Sequence, residues 1–123
     1  MRYSKESILA DIEKLGVGSS DVIFISADLL KVGYFNRTTE QTYQDWVEIF
    51  HDLVGNTGTL VIPAYTPTFS RFHKRQDMVF NIHSQPTAGA LSLAIHRFGK
   101  AARSLHPTNS CFAIGPMAQY ILR

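Results

Sequence analysis

The chain has 123 residues, of which 45% are hydrophobic and 18% are charged, a composition that is ordinary for one globular domain. A formal net charge of +2 gives no nucleic-acid or membrane signature, and the apolar runs are far too short to span a bilayer. Acidic residues interrupt the N-terminal segment, so it is not a signal peptide, and the sequence predicts a cytoplasmic protein by default. Cys111 is the single cysteine, which excludes an intrachain disulfide and a cysteine-based zinc cluster.

The N-terminal half of the chain predicts the order helix, strand, helix, strand. Ser4 can cap a first helix. The run DVIFIS at 21–26 lacks a helical period and predicts a buried strand. Thr38 can cap a long amphipathic helix that Gly55 ends, and TLVIP at 59–63 predicts a second buried strand. Strand, helix and strand in this order predict a right-handed crossover and a parallel sheet.

The C-terminal half predicts a long connection, a helix, a strand and a last short helix. Aromatic residues in the segment 64–86 favour a packed loop over a disordered one. The apolar spacing from Ala88 to Phe98 predicts a helix with Thr87 as a possible cap. CFAIG at 111–115 predicts a short strand, and Pro116 suits the first turn of a final helix. The whole chain is therefore expected to form a single, partial α/β domain.

Polar turns follow both predicted strands. Ser26, Ala27 and Asp28 come after the first strand, and Thr66 comes after the second. Ligands bind at the carboxyl ends of parallel strands, and a turn that opens a helix suits a phosphate. The alternative is a plain connection capped by Asp28 and a proline-stiffened loop whose aromatics fill the core. No glycine-rich phosphate fingerprint is present.

The stretch ARSLHPTNS at 102–110 is the third candidate. Arg103 can make a bidentate contact with a phosphate, and Ser104 can donate to the same anion. His106 is held extended by the proline after it. A hydrolase would need a nucleophile elbow, and the Gly-x-Ser-x-Gly pattern is absent. A basic cluster at 71–75 could also meet an anion, although a solvated loop is the simpler interpretation. No histidine pair has metal-ligand spacing on one element, so no metal is expected.

Four segments stand in series along the chain: LGVGSSDVIFISADLLKVG, GNTGTLVIPAYT, FNIHSQPTAGALS and ARSLHPTNSCFAIGPMA. Their order and spacing resemble the aminoglycoside 3-N-acetyltransferase family, over residues 15–118 and over the N-terminal half of the family only. The resemblance implies a three-layer α/β/α sandwich with a mainly parallel sheet, here apparently truncated. It also implies transfer of an acetyl group from acetyl-CoA to an amine of an aminoglycoside, another amino sugar or a small amine.

The resemblance further implies which residues hold acetyl-CoA. They are Ser26, Ala27, Asp28 and Leu29 in the first turn, Thr66 after the second strand, and Arg103, Ser104 and His106. The family's first turn usually reads His-Ser-Ser-Leu, so a carboxylate, Asp28, stands here where a hydroxyl is common. A carboxylate facing a pyrophosphate is repulsive.

The catalytic base implied by the resemblance is a histidine in a Thr-x-x-His-x-x-Glu pattern of the family's later half. Such a base is needed because only a neutral amine attacks a thioester. No such pattern occurs before Arg123, and no catalytic residue is therefore assigned in this chain. An alternative hypothesis is a non-catalytic, truncated α/β module that dimerises or pairs with a separate C-terminal half. A sheet without its later strands would leave an exposed edge or apolar face for such a partner.

Overall fold

The computed structural model describes residues 3–66 and 79–123. Within these ranges the helices are α1 (Lys5–Glu13), α2 (Leu29–Val32), α3 (Thr39–Val54), α4 (Ala90–Phe98) and α5 (Ala118–Ile121). The strands are β1 (Val22–Phe24), β2 (Thr59–Pro63), β3 (Ala102–Arg103) and β4 (Cys111–Ile114). The basic cluster at 71–75 and much of the predicted aromatic loop lie outside the described residues. Among the described helices, none has the length and apolar character to cross a membrane.

The four strands form one mixed sheet in the order β1-β2-β4-β3. β1 lies parallel to β2, as the strand–helix–strand order predicts, with Ile23 opposite Leu60. β4 is antiparallel to both β2 and β3, so the prediction of a mainly parallel sheet is wrong. For the pairing of β3 with β4 the physical reason is loop length. Residues 104–110 join β3 to β4, and a parallel pair needs a crossover of about a dozen residues or more.

One face of the sheet is covered by helices and holds the main core. α3 and α4 contact the sheet, and α1 packs on α3. The α3 side chains that recur at spacings of three and four are the buried ones, as the amphipathic pattern predicts. Leu60 and Ile62 of β2 and Phe112 of β4 face this helical layer. Burying each large apolar side chain there contributes roughly 1.5–3 kcal/mol.

The second face of the sheet is covered much less. Among the described elements only α5 packs on it, and Val61, Ala113 and Ala118 form a small second cluster. Val22 and Phe24 of β1 alternate with Ile23, which is partly buried against the main core, and remain 55% and 58% exposed. The prediction of a strand buried on both faces is therefore wrong for β1. Within residues 3–66 and 79–123, helices cover one side of the sheet, and on the other side only α5 packs.

Two helix starts, those of α1 and α3, follow the capping signals of the sequence. Ser4 Oγ accepts a hydrogen bond from the Ser7 N–H (3.0 Å), and Thr38 Oγ1 accepts one from the Gln41 N–H (3.1 Å). α4 does not follow its signal, since it begins after Gly89 rather than at Thr87. The prediction of Thr87 as the cap is wrong. Its hydroxyl instead donates to the Tyr65 carbonyl at 3.3 Å.

Gly115 ends β4 and turns the chain into α5. Its φ is +133°, and a Cβ there would lie 2.4 Å from the Gly58 carbonyl oxygen, a backbone atom that cannot yield. Directly after this turn, the Met117 N–H donates to Thr59 Oγ1 at 3.1 Å, and Thr59 is fully buried. The position of α5 on the second face thus depends on the glycine at position 115.

We expect Gly115→Ala to lower the free energy of unfolding by roughly 3 kcal/mol, because backbone strain at positive φ adds to the clash with Gly58. Urea unfolding followed by the fluorescence of Trp46, the single tryptophan, measures this loss. Gly18→Ala is the matched control, since nothing lies within 4 Å of its Cβ position, and it should stay within about 0.5 kcal/mol of the parent. Equal losses in the two variants would contradict this explanation.

Candidate functional site

One edge of the sheet collects all the residues that the sequence selected as binding residues. The parallel strands β1 and β2 both end at this edge, and β3 ends there too because both it and β2 run antiparallel to β4. The turn 26–29 follows β1, residues 64–66 follow β2, and residues 104–106 follow β3. Three stretches that are far apart in the sequence therefore lie side by side.

Arg103 is the buried charge at this edge, with 9% of its surface exposed. The guanidinium carbon lies 5.1 Å from the ring centroid of Phe80 and 5.0 Å from that of Phe112, within cation–π range. Its hydrogen-bond acceptors are Ser110 Oγ (3.1 Å, from Nε), the Ala64 carbonyl (2.8 Å, from Nη2), and the carbonyls of Ile82 (3.3 Å) and Ser84, both from Nη1. The side chain thus connects four segments of the chain.

These contacts engage most of the hydrogen-bonding capacity of Arg103. Four of its five N–H groups have protein acceptors, so a bidentate phosphate contact would require at least one of these bonds to break. Burial lowers the pKa of the guanidinium from its usual value because desolvation disfavours the charged form. The geometry supports a positioning role for Arg103, and its contact with CoA stays a prediction.

Thr66 and Ser110 join the end of β2 to the segment 104–110. Thr66 Oγ1 donates to the Pro107 carbonyl at 2.7 Å, and the Thr66 N–H donates to the Thr108 carbonyl at 3.2 Å. Ser110 Oγ donates to the Ala64 carbonyl at 2.9 Å while it accepts from Arg103. The sequence selected Thr66 but missed Ser110, whose only signal was its place at the end of the same polar stretch as the arginine.

Ser104 and His106 are fixed by local hydrogen bonds. Ser104 Oγ accepts from the Cys111 N–H at 2.9 Å, and the Ser104 N–H donates to the Cys111 carbonyl at 3.0 Å. His106 is exposed, and its Nδ1 accepts from the Asn109 N–H at 2.9 Å. The neutral ring therefore carries its proton on Nε2. Nε2 is a donor in this form, whereas a general base must offer an acceptor.

The turn after β1 opens the short helix α2. Asp28 occupies the N-cap position, but its carboxylate makes no capping hydrogen bond within the described residues and instead lies 3.9 Å from Lys31 Nζ. Ser26 and Asp28 are exposed, whereas Leu29 is buried in the main core. The core therefore holds the turn through Leu29, and its polar side chains remain open to solvent.

A cavity of about 480 Å³ opens beside this turn between α1, α2 and α3. Ala27, Leu29 and Trp46 are among the residues that line it. The Trp46 Nε1–H is buried and has no acceptor among the described residues. Gly89, with φ +107°, brings the start of α4 to the same turn, since a Cβ there would lie 4.0 Å from the Ala27 carbonyl oxygen.

His96 is a further titratable side chain next to Arg103. Its ring stacks on Phe112 with the centroids 5.9 Å apart, and with His83 and Arg103 it lines a cavity of about 350 Å³. Burial, aided by the positive charge of Arg103, lowers the pKa of His96. Within the described ranges, no three His, Cys, Asp or Glu side chains are grouped so that they could hold a metal ion.

The fold and this edge define an α/β domain in which three polar turns lie at one end of a mixed sheet. The family profile of the aminoglycoside 3-N-acetyltransferases matches residues 24–123, and the chain belongs to this family. No curated protein matches the chain significantly.

Solved structures of similar proteins share the fold over nearly the whole chain. The aminoglycoside acetyltransferase AAC(3)-IIb matches with a TM-score of 0.81 and 26% identity, over 99% of this chain and 49% of that one. The YokD protein from Bacillus subtilis matches with a TM-score of 0.81 and 20% identity, over 98% of this chain and 53% of that one. Sisomicin-bound AAC-VIa matches with a TM-score of 0.79 and 23% identity, over 99% and 49% respectively. The chain thus spans about half the length of these relatives.

We expect Arg103→Ala to lower the free energy of unfolding by roughly 3 kcal/mol, because it removes a charged donor from carbonyl groups on two other segments. Denaturant unfolding measures the change. Arg97→Ala removes an exposed arginine of α4 whose guanidinium carbon lies 5.8 Å from the ring centroid of Tyr43, and it should cost no more than about 1 kcal/mol. Arg103→Lys keeps the charge but not the planar fork and should recover less than half of the loss. A loss from Arg103→Ala no larger than that from Arg97→Ala would rule out the positioning role.

The lowered pKa of His96 makes stability depend on pH. In the unfolded chain the His96 ring takes up a proton more readily than in the folded chain. The stability that the neutral ring contributes is therefore present above the usual pKa of 6.5 and is lost as the pH falls below it. We expect His96→Gln to flatten the decrease in unfolding free energy between about pH 7 and pH 5, measured from urea titrations. His51→Gln, at an exposed position of α3, is the control. If the unfolding free energy of His96→Gln falls with pH as steeply as that of the parent chain, His96 is not the source of the pH dependence.

Proposed function

We propose that the chain supplies the acetyl-CoA-binding part of an N-acetyltransferase that acetylates an amino group of an aminoglycoside or another amino sugar. The family match over residues 24–123 carries this proposal. The convergence of the turns at 26–29, 64–66 and 104–106 on one edge supports it, because cofactors of α/β proteins bind at such edges. Structures of AAC-VIa with sisomicin and of AAC(3)-IVa with gentamicin or apramycin support an amino-sugar acceptor.

In this proposal each turn contributes a different contact to acetyl-CoA. The backbone N–H groups of residues 26–29 face the phosphates of the cosubstrate. Thr66 and Ser104 shape the edge between the turns, and His106 donates from Nε2 to an oxygen of the CoA arm. Arg103 holds the segment that carries Ser104 and His106, and so acts on the cosubstrate through its neighbours.

The proposed acyl transfer is direct. The neutral amine nitrogen attacks the thioester carbonyl carbon, the C–S bond breaks, CoA leaves with the sulfur, and the amine proton passes to a base. Cys111 takes no part as a nucleophile, because burial raises the pKa of its thiol and keeps it protonated. In this proposal the histidine base belongs to the half of the relatives that this chain does not match.

Asp28 provides the sharpest test because it is the one residue of the turn that repels an anion. We expect acetyl-CoA to bind the parent chain in calorimetry and to bind Asp28→Ser about fivefold more tightly at low salt, a gain that added salt should shrink. Asp52→Ser makes the same change of charge at an exposed position near the C-terminal end of α3, at the opposite edge of the sheet, and should leave the affinity unchanged.

Two results would overturn this assignment. An absence of binding heat with the parent chain would remove acetyl-CoA as its ligand. Equal gains in Asp28→Ser and Asp52→Ser would show a general charge effect and would remove the turn 26–29 from the site.

A further inference from the structure

The cavity of about 350 Å³ that His96 lines with Arg103 lies between the last turn of α4 and β3. Four side chains of its lining are cationic or become so on protonation: His83, His96, Lys100 and Arg103. Among the described residues, no Asp or Glu lines it. We call it the basic cavity. A cleft lined by charges of one sign concentrates ions of the opposite sign, so the basic cavity attracts anions.

The charge imbalance around the basic cavity extends along the whole C-terminal part of the chain. No Asp or Glu follows Asp77 in the sequence, whereas Arg97, Lys100, Arg103 and Arg123 do. All the ion pairs among the described residues lie within residues 5–48. The cations of the basic cavity therefore have no carboxylate partner in the part of the chain that the structure describes.

Two cationic side chains of the basic cavity are available to contact an anion. Lys100 and His83 are exposed, and neither side chain makes a hydrogen bond or ion pair within residues 3–66 and 79–123. Lys100 also has a φ of +50°, in the left-handed region that favours glycine. Strained residues of this kind cluster at ligand sites. Arg103 adds positive charge, although most of its N–H groups already have protein acceptors.

The surroundings of His96 couple proton uptake to the arrival of an anion. Burial lowers the pKa of its ring, and the positive charges of Arg103, Arg97 and His83 lower it further. These charges come from β3, from α4 itself and from the segment before α4, and the ring's stacking partner on β4, Phe112, is uncharged. An anion beside the ring offsets these effects because an opposite charge favours the protonated form.

The size and the apolar part of the lining indicate the class of anion. Ile95 and Phe112 are buried apolar residues of the lining. The volume is several times that of inorganic phosphate and lies within the range of small-molecule sites. Cationic groups together with apolar space suit a phosphate group that carries an organic substituent.

We propose that the basic cavity binds the phosphate group of a phosphate monoester, with Lys100, His83 and the protonated ring of His96 as its donors. The inference goes beyond the proposed acetyl transfer and does not depend on it. CoA itself carries a phosphate monoester, so the ligand is either this part of CoA or a separate phosphate ester. The experiment distinguishes these two sources.

Sulfate is the probe, because its charge is constant between about pH 5 and pH 8, whereas a phosphate monoester titrates near about pH 6. Amide NMR shifts at constant ionic strength should move saturably at residues 82–84 and 95–103. The affinity should be about tenfold higher at the acidic end, where the imidazoles carry charge. His83→Gln combined with His96→Gln should abolish this pH dependence, whereas His51→Gln, on the exposed side of α3, should keep it.

Lys100→Gly separates the loss of the charge from an effect on the fold. Glycine suits the φ of +50° at this position, so the variant should unfold at no lower urea concentration than the parent chain. It should nevertheless bind sulfate about fivefold more weakly, since it lacks one of the proposed donors. Arg37→Gln removes the same charge at an exposed position before α3 and should bind sulfate as the parent chain does.

Calorimetry with CoA and with dephospho-CoA assigns the source of the phosphate. If Lys100→Gly weakens the binding of CoA alone, the ligand is the phosphate monoester of CoA. If it weakens neither, or if neither compound binds the parent chain, the ligand is a separate phosphate ester.

The proposal fails on either of two results. One is sulfate-induced shifts at acidic pH that do not saturate or that lie away from the basic cavity. The other is an equal loss of sulfate affinity in Lys100→Gly and Arg37→Gln, which would show a general attraction to a positive surface.

Discussion

The polar edge of this domain depends on one buried cation. The guanidinium of Arg103 holds the ends of β2 and β3, the entry to β4 and the segment 82–84 through four hydrogen bonds. Removing one partner of a buried charge is costly, so each of these segments is confined to the place where its acceptor meets the arginine. Phe80 and Phe112 flank the cation and exclude water from it. These buried contacts of Arg103, which include Ser110, therefore determine the path of the loop 104–110.

The proposed acetyl-CoA site consequently has two parts that are held in different ways. Thr66 and Ser104 belong to the hydrogen-bonded network around the arginine, and they are already in place before any ligand binds. The turn 26–29 is held by the burial of Leu29 and by the packing of Ala27 against the main core, and its polar side chains make few contacts among the described residues. A ligand that bridges both parts would gain most of its orientation from the first, because preorganised groups lose little entropy on binding.

The sequence predicted those elements whose signals are local. β2 has the predicted bounds because its five residues are buried on both faces, and α3 begins and ends at its Thr38 and Gly55 signals. β3 was missed because two residues carry no period, and the antiparallel pairing of β4 depends on a partner far away in the sequence. The charge of Arg103 was visible in the sequence, whereas its acceptors at 64 and 82–84 follow only from the fold. Likewise, the sequence of residues 22–24 does not reveal whether the second face of β1 is covered.

The polar edge and the basic cavity share Arg103. Arg103 holds the start of the loop 104–110 through its buried hydrogen bonds, and Ser104, Leu105 and His106 line a groove on the second face of the sheet. The same arginine also lines the basic cavity. Because most of its N–H groups already have protein acceptors, it acts in the cavity through its charge, and the direct donors to an anion must come from other side chains. One buried cation therefore fixes the loop that the proposal assigns to the CoA arm and adds to the positive potential of the neighbouring cavity.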